Sequence, residues 1–194
     1  MIDFSLIVPT YNESKNVAIL LPKLVELFVK NNIKFEIIVV DDDSPDGTWK
    51  VAQSLALSDD RIRVIRRTNK KGLSSAVIDG MGAAKGNALG VIDADMQHDE
   101  NILPRMIADL KDYDLVVGSR VVEEGGYGEW GFFRRLMSKG ATLLAKIFLP
   151  IPVGDPMSGY FVLNRELFDE VAPEINPRGF KILLEFLGRK KGIK

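Results

Sequence analysis

The sequence has no cysteine, so disulfides, thiolate zinc sites and cysteine nucleophiles are excluded, and a reducing compartment fits. Histidine occurs once, at His98, so any metal would need oxygen ligands or that single imidazole. An excess of one sign of charge is missing as well. Against 27 Asp and Glu stand 26 Lys and Arg, a net charge of −1, and no bulk cationic field exists to collect nucleic acid or an anionic membrane. Any bound anion must be held by local charge. No apolar run approaches the roughly 18–20 residues that span a bilayer. The most apolar late stretch, 143–153, is broken by Lys146, Pro150 and Pro152. The opening MIDFSLIVPTYNE lacks a basic n-region and a small-residue cleavage site, so it reads as a first strand and not as a signal peptide. Glycine-rich nucleotide fingerprints are also absent: PTYNES stands where G-x-G-x-x-G would follow the first strand, and G-x-x-x-x-G-K-[ST] occurs nowhere. Nucleotide phosphates, if bound, must be met by metal and side chains.

What is present has ordinary globular composition, 46% hydrophobic and 27% charged over 194 residues, the length of a single domain. Short apolar runs at Phe4 to Val8, Phe35 to Val40, Ile62 to Ile65 and Ala88 to Ile92 alternate with segments of helical spacing. Between the first two, Val17, Leu20, Leu21, Leu24, Leu27 and Phe28 form one apolar stripe, opened by Asn12 or Ser14 as cap, with Pro22 inside it at a position that kinks a helix. The turn Ser44-Pro45-Asp46-Gly47-Thr48 leads into a second helix. Strands continuous in apolar residues and joined by helices predict a mostly parallel central sheet covered on both faces, a Rossmann-like α/β/α sandwich. After Asp95 the pattern predicts a helix around Ile102 to Leu110, a strand at Leu115 to Val117 and a mobile glycine-rich loop at Glu123 to Gly131. Next come a helix from Phe133 to Phe148, a turn at Pro150 to Pro156, a strand over Tyr160 to Leu163 and a last helix from about Phe180. The closing GRKKGIK looks like a break between a helix and a following strand.

Ligands of open α/β sheets bind beyond the carboxyl ends of the strands. Two acidic clusters fall there, Asp41-Asp42-Asp43 and Asp93-Ala94-Asp95. Consecutive carboxylates repel each other, so such clusters cost stability unless a cation, a helix N-terminus or a donor-rich ligand compensates. Capping of the next helices is the plain alternative. Asp93 and Asp95, one residue apart in extended geometry, would project the same way and share one hard cation.

Six motifs, VPTYNE (8–13), VVDDDSPDGT (39–48), GLSSA (72–76), DADMQH (93–98), GSR (118–120) and DPMSGYF (155–161), resemble in type and order those of family-two glycosyltransferases of the GT-A fold. DADMQH and DPMSGYF look most like the dolichol-phosphate mannose synthases. The resemblance implies an inverting transfer of mannose from GDP-mannose to a dolichyl or polyprenyl phosphate, with Mg²⁺ or Mn²⁺ bridging the donor diphosphate to the D-x-D carboxylates. A UDP-glucose-dependent polyprenyl-phosphate glucosyltransferase is the nearest alternative. It also implies a division of labour, with residues 1–97 as the nucleotide and metal half and 98–194 as the acceptor half. Pro9, Tyr11, Glu13, Val39 and Asp41 would line the nucleotide pocket, with Asp41 facing the base or ribose. Asp93, Asp95 and Gln97 would hold the metal and Ala94 would pack near the ribose. Arg120 would reach the donor diphosphate or the acceptor phosphate, and Lys181 would meet the diphosphate. Arg134 and Ser138, one helical turn apart, match the pair that grips the acceptor phosphate, with Arg135 a possible substitute for Arg134.

A phosphomonoester has a second pKa of about 6, so such an acceptor is already an anionic nucleophile at neutral pH and needs no general base. His98 is therefore expected in a solvated or supporting role. Asp155 is either a partner for an acceptor-site arginine or a turn residue, and the apolar face of Leu136, Leu143, Leu144 and Ile147 suits a core. Trp130, in the glycine-rich loop, could touch membrane. In the family the chain runs on into another strand, a basic R-x-x-G-x-S-K loop and often membrane helices. The expectation is a catalytic core cut short, on the cytoplasmic side of a membrane, with either full transfer or donor binding with little turnover.

Overall fold

Strand β1 (Phe4–Thr10) alternates Phe4, Leu6 and Val8 on one side with Ser5 and Ile7 on the other, and all seven residues are buried. A strand buried on both faces belongs inside a sheet. The computed structural model, which describes residues 2–119, 154–176, 179, 181–190 and 192–194, places it third of six. The others are β2 (Phe35–Asp41), β3 (Ile62–Arg66), β4 (Ala88–Val91), β5 (Leu115–Val117) and β6 (Phe161–Asn164), in the spatial order β3-β2-β1-β4-β6-β5. The first four neighbours in that order run parallel, whereas β6 is antiparallel to both β4 and β5.

Among the described residues six helices cover the two faces: α1 (Ser14–Lys30), α2 (Thr48–Ser58), α3 (Leu73–Ala83), α4 (Leu103–Asp109), α5 (Arg165–Val171) and α6 (Ile182–Arg189). Phe4, Leu6 and Val8 pack with Leu20, Leu24 and Phe28 of α1, Ala52 of α2 and Met106 of α4. Across the sheet Ile7, Ile38 and Val40 pack with Val77 and Met81 of α3, Phe168 of α5 and Phe186 of α6. This is the expected α/β/α sandwich. Helix α1 runs through Pro22 from Ser14 to Lys30. Both Pro22 and Ala18, whose carbonyl loses its intrahelical partner, are exposed, so water can satisfy it. The last helix starts at Ile182. The expected loop at 123–131 and helix at 133–148, with Arg135, Trp130 and the apolar face at 136–147, lie outside the described residues. No helix among the described residues is long and apolar enough to cross a membrane.

The amino ends of the strands are closed by a polar staple. Glu36, 2% exposed, accepts the Ser5 hydroxyl at 2.7 Å, the Lys85 amide at 2.6 Å and Arg63 Nη1 at 2.6 Å, while Ser5 Oγ accepts the Gly86 amide at 2.8 Å. Burial pushes the Glu36 carboxyl up, but the bonds from Arg63, Ser5 and Lys85 outweigh it and hold the group below its ordinary value. A carboxyl depressed by folding contributes stability above its unfolded pKa and loses it as pH falls through the folded one. Glu36→Ala strands Arg63, which is partly solvated, together with the Lys85 amide and the Ser5 hydroxyl, and should cost about 3 kcal/mol in denaturant unfolding at pH 7. The difference from wild type should shrink as the pH is lowered below about 4; a constant difference down to pH 2 would refute the charge contribution.

Candidate active site

The loops at the carboxyl ends of β1, β2 and β4 meet at one edge of the sheet, and two of them are tied together. Helix α1 begins after Glu13 with no side-chain cap of its own, so neither Asn12 nor Ser14 fills the role expected of them. Its leading amides are taken by the loop after β2: Asn12 N–H donates to Ser44 Oγ at 3.0 Å, Glu13 N–H to Thr48 Oγ1 at 2.9 Å and Ser14 N–H to Asp46 Oδ2 at 3.0 Å. Asn12 turns through a left-handed φ of 61°, a conformation that asparagine tolerates better than most residues. Tyr11 and Glu13 are thereby presented from a braced turn.

The three consecutive aspartates after β2 are each neutralised differently. Asp41 is wholly buried and accepts the Thr10 hydroxyl at 2.9 Å, the Ser44 amide at 2.8 Å and the Ser44 hydroxyl at 2.7 Å. Asp42 accepts Arg67 Nε at 2.7 Å on one oxygen, with Nη2 of the same guanidinium also on it, and the Gly72 amide at 2.7 Å on the other. Asp43 pairs with Arg66 at 2.5 Å, whose guanidinium lies 3.9 Å from the centre of the Trp49 ring. This cluster needs no external cation, which overturns the inference from its charge. The compensating arginines come from the end of β3, where nothing in their spacing marked them.

Between these loops and β4 lies a cleft of about 660 Å³ lined by Pro9, Thr10, Tyr11 and Glu13, by Asp42, by Lys71, Gly72, Leu73 and Ala76, and by Asp93, Ala94 and Asp95. Lys71 is its single basic lining residue among the described residues, with its ammonium 5.1 Å from the centre of the half-exposed Tyr11 ring. Gly72, at φ 128°, takes a backbone conformation closed to other residues and turns the chain into α3. Asp93 and Asp95 both reach the cleft, though not through an extended pleat. The strand ends at Val91 and residues 94–95 form a turn, with Met96 at φ 61°. Asp95 accepts the Gln97 amide at 3.0 Å and has no cationic partner among the described residues, while Asp93 faces only His98, whose Nε2 is 3.6 Å away. No group of three or more His, Asp or Glu side chains converges among the described residues. Two hard oxygen donors beside open space suit a divalent cation that brings water and phosphate oxygens as its remaining ligands.

Of the residues singled out in the sequence, Pro9, Tyr11, Glu13, Asp93, Ala94 and Asp95 share this cleft. Val39 and Asp41 do not line it: both are 0% exposed, and Asp42 lies on the wall where Asp41 was expected. Gln97 is exposed beside the cleft. Lys181 is exposed at the start of α6, near the Gly179 carbonyl that accepts the Ser74 amide of α3 at 3.4 Å. Arg120, Arg134 and Ser138 lie outside the described residues. His98 is not solvated. Its side chain is 6% exposed and packs on Tyr160 with ring centres 4.9 Å apart. Asp155 is 3% exposed and accepts the Met157 amide at 3.3 Å, a turn contact. Sequence reasoning missed Arg67 and Lys71. The only signal for Lys71 was its place directly before the GLSSA motif.

The model of glycosyl transferase family 2 matches residues 5–172. A dolichol-phosphate mannosyltransferase of Pyrococcus furiosus is 45% identical over 96% of this chain and 53% of its own length. One of Saccharomyces cerevisiae is 38% identical over 97% of this chain and 71% of its own. The chain thus spans about half the length of the first of these relatives. Among solved structures, mannosyl-3-phosphoglycerate synthase from Rubrobacter xylanophilus superposes with a TM-score of 0.67 at 24% identity, covering 86% of this chain and 54% of that one. A mannosyltransferase from Pyrobaculum calidifontis in complex with GDP-Man and Mn²⁺ gives 0.61 at 20% identity, over 94% and 50%. Identities this low establish the shared fold alone.

The brace behind Tyr11 and Glu13 is open to a pH test. Slight desolvation of Asp46 is outweighed by bonds from the Thr48 hydroxyl and the amides of Ser14 and Thr48, which bring its carboxyl down to about 2. Its contribution is therefore complete above pH 4 and disappears as pH falls toward 2. Asp46→Ala should lower stability at pH 7 by about 1 kcal/mol, as for other lost helix caps. The gap should close between pH 4 and 2 in thermal unfolding; a gap that persists at pH 2 would exclude the ionised cap.

Proposed function

This chain belongs to glycosyl transferase family 2, and from that premise we propose that it is the catalytic core of an enzyme moving mannose, with inversion, from GDP-mannose to a dolichyl or polyprenyl phosphate at a membrane surface. The observation that carries the reading is the contrast between the two acidic clusters. Asp41, Asp42 and Asp43 are satisfied inside the protein, whereas Asp93 and Asp95 face a cleft large enough for a nucleotide sugar with no arginine or lysine upon them among the described residues. The two dolichol-phosphate mannosyltransferases named above supply the donor and acceptor class.

In this reading residues 1–97 form the donor half and 98–194 the acceptor half. Tyr11, Glu13 and Pro9 hold the nucleoside, with Asp42 in the place expected of Asp41, and Val39 and Asp41 support that wall from behind. Asp93 and Asp95, with Gln97 and with Ala94 near the ribose, hold Mg²⁺ or Mn²⁺. When bound, that cation offsets the charge developing on the departing diphosphate. Arg120 and Lys181 add positive charge on the donor phosphates, and Arg120, Arg134 and Ser138 grip the acceptor phosphate. The acceptor is anionic at neutral pH, so the residues need only orient it and exclude water.

Calorimetry with GDP-mannose and UDP-glucose, in Mn²⁺ and in chelator, tests the donor. GDP-mannose should bind at least tenfold more tightly with Mn²⁺, and Asp95→Ala should abolish that difference. Preference for UDP-glucose would overturn the mannosyl assignment, and binding indifferent to both metal and Asp95→Ala would overturn the cation's role. In the full-length protein, Arg134→Ala should cut transfer to a polyprenyl phosphate by about 10²-fold and leave GDP-mannose affinity intact; equal loss of both would misplace the acceptor site.

A further inference from the structure

We infer that Gly159, His98 and Tyr160 form a holder that fixes the Asp93 carboxylate toward the cleft, and that they act as positioning residues for whatever cation that carboxylate meets. The inference rests on the donor reading above. Its starting point is strand register. β4 and β6 pair antiparallel with Val91 opposite Phe161, and two further residues along each chain bring Asp93 opposite Gly159. The approach is close: a Cβ at 159 would lie 2.6 Å from Asp93 Cγ and would overlap both carboxylate oxygens, so the Asp93 side chain would have to move. The carboxylate thus lies flat against bare backbone on one side. On another, the His98 ring closes in, with Nε2 3.6 Å from Asp93 Oδ2, beyond hydrogen-bond length.

The imidazole is itself held. It packs on the Tyr160 ring, which is 1% exposed, and the Tyr160 hydroxyl donates to the Asp99 carbonyl at 3.0 Å, closing the turn that carries His98. Gly118 repeats the device behind Tyr160, where a Cβ would come 2.8 Å from Cε1 of the ring. A carboxylate restricted in this way loses little rotamer freedom when it binds, and partners that orient a ligating carboxylate typically govern affinity by about 10-fold to 100-fold.

The test uses the full-length protein with Gly159→Ala, His98→Phe and Tyr160→Phe. It reads Mn²⁺ affinity by electron paramagnetic resonance in the presence of GDP, GDP affinity in chelator, melting temperature, and a crystal structure of Gly159→Ala. Gly159→Ala and His98→Phe should weaken Mn²⁺ binding by about 10-fold or more, with chelator-state GDP affinity and melting temperature nearly unchanged. Tyr160→Phe, which keeps the ring under His98 and removes only its tie to the Asp99 carbonyl, should weaken Mn²⁺ binding by less than His98→Phe does. Wild-type Mn²⁺ affinity in Gly159→Ala, or parallel loss of metal-free GDP binding and melting temperature, overturns the holder. Should the wild-type protein bind no Mn²⁺, the donor reading fails instead and the crystal structure decides: a displaced Asp93 carboxylate in Gly159→Ala upholds the holder, and an undisplaced one overturns it.

Discussion

The ion pair between Arg67 and Asp42 is the contact on which the cleft depends. Both side chains are almost wholly buried, 4% and 9% exposed. Removing two charges from water costs several kcal/mol per ion, and the cost is recovered only where every remaining donor and acceptor is matched. Here they are matched. The guanidinium also donates to Ser75 Oγ at 2.8 Å, Asp79 Oδ2 at 3.2 Å and the Gly72 carbonyl at 3.0 Å, while the second Asp42 oxygen takes the Gly72 amide. One residue from the end of β3 thus joins the end of β2 to the first turn of α3. The network engages both the amide and the carbonyl of Gly72 and so fixes it on the cleft wall, with Lys71 directly before it.

Both ends of the sheet solve the same electrostatic problem, and they solve it to different degrees. At the amino ends Glu36 is surrounded by Ser5, Lys85 and Arg63 until its charge is fully engaged. At the carboxyl ends the same treatment reaches Asp41, Asp42 and Asp43 and then stops. β4 has on one side β1, whose following loop is committed to capping by Ser44, Asp46 and Thr48, and on the other β6, whose lead-in brings a glycine. Among the described residues neither neighbour supplies a lysine or arginine to Asp93 or Asp95. Unfilled acidity in an otherwise well-compensated sheet is the observation on which the proposed donor site rests.

The alternation of strand and helix was legible because the central strands β1 and β2 are buried on both faces and so appear as continuous apolar runs, and the stripe of α1 predicted its buried face except at Leu27, which is only partly buried. The direction of β6 was not legible. Tyr160 to Leu163 has the same composition whichever way it runs, and pairing with β4 is decided some 70 residues away. Caps failed for the same reason: the acceptors for Asn12, Glu13 and Ser14 come from 32 to 35 residues downstream. The first aspartate cluster misled because charge counting along the chain sees carboxylates that repel one another and cannot see Arg66 and Arg67 folded back upon them. Asp93 and Asp95 both line one cleft, though a turn and not a pleat brings them there.

The reversed strand explains the placement of the DPMSGYF segment. Had β6 run parallel to β4, its carboxyl end would lie at the cleft and the residues after Asn164, the start of α5, would crowd it. Antiparallel pairing instead delivers the residues before Phe161, a turn anchored by Ser158 Oγ on the Gly118 carbonyl at 2.9 Å and by Asp155 on the Met157 amide. Its last two members then meet β4's acidic turn, where a Cβ at 159 would collide with the Asp93 carboxylate. The pairing of β6 with β4 thus places segment 155–161 against Asp93, and any residue larger than glycine at 159 needs a different side-chain geometry at 93.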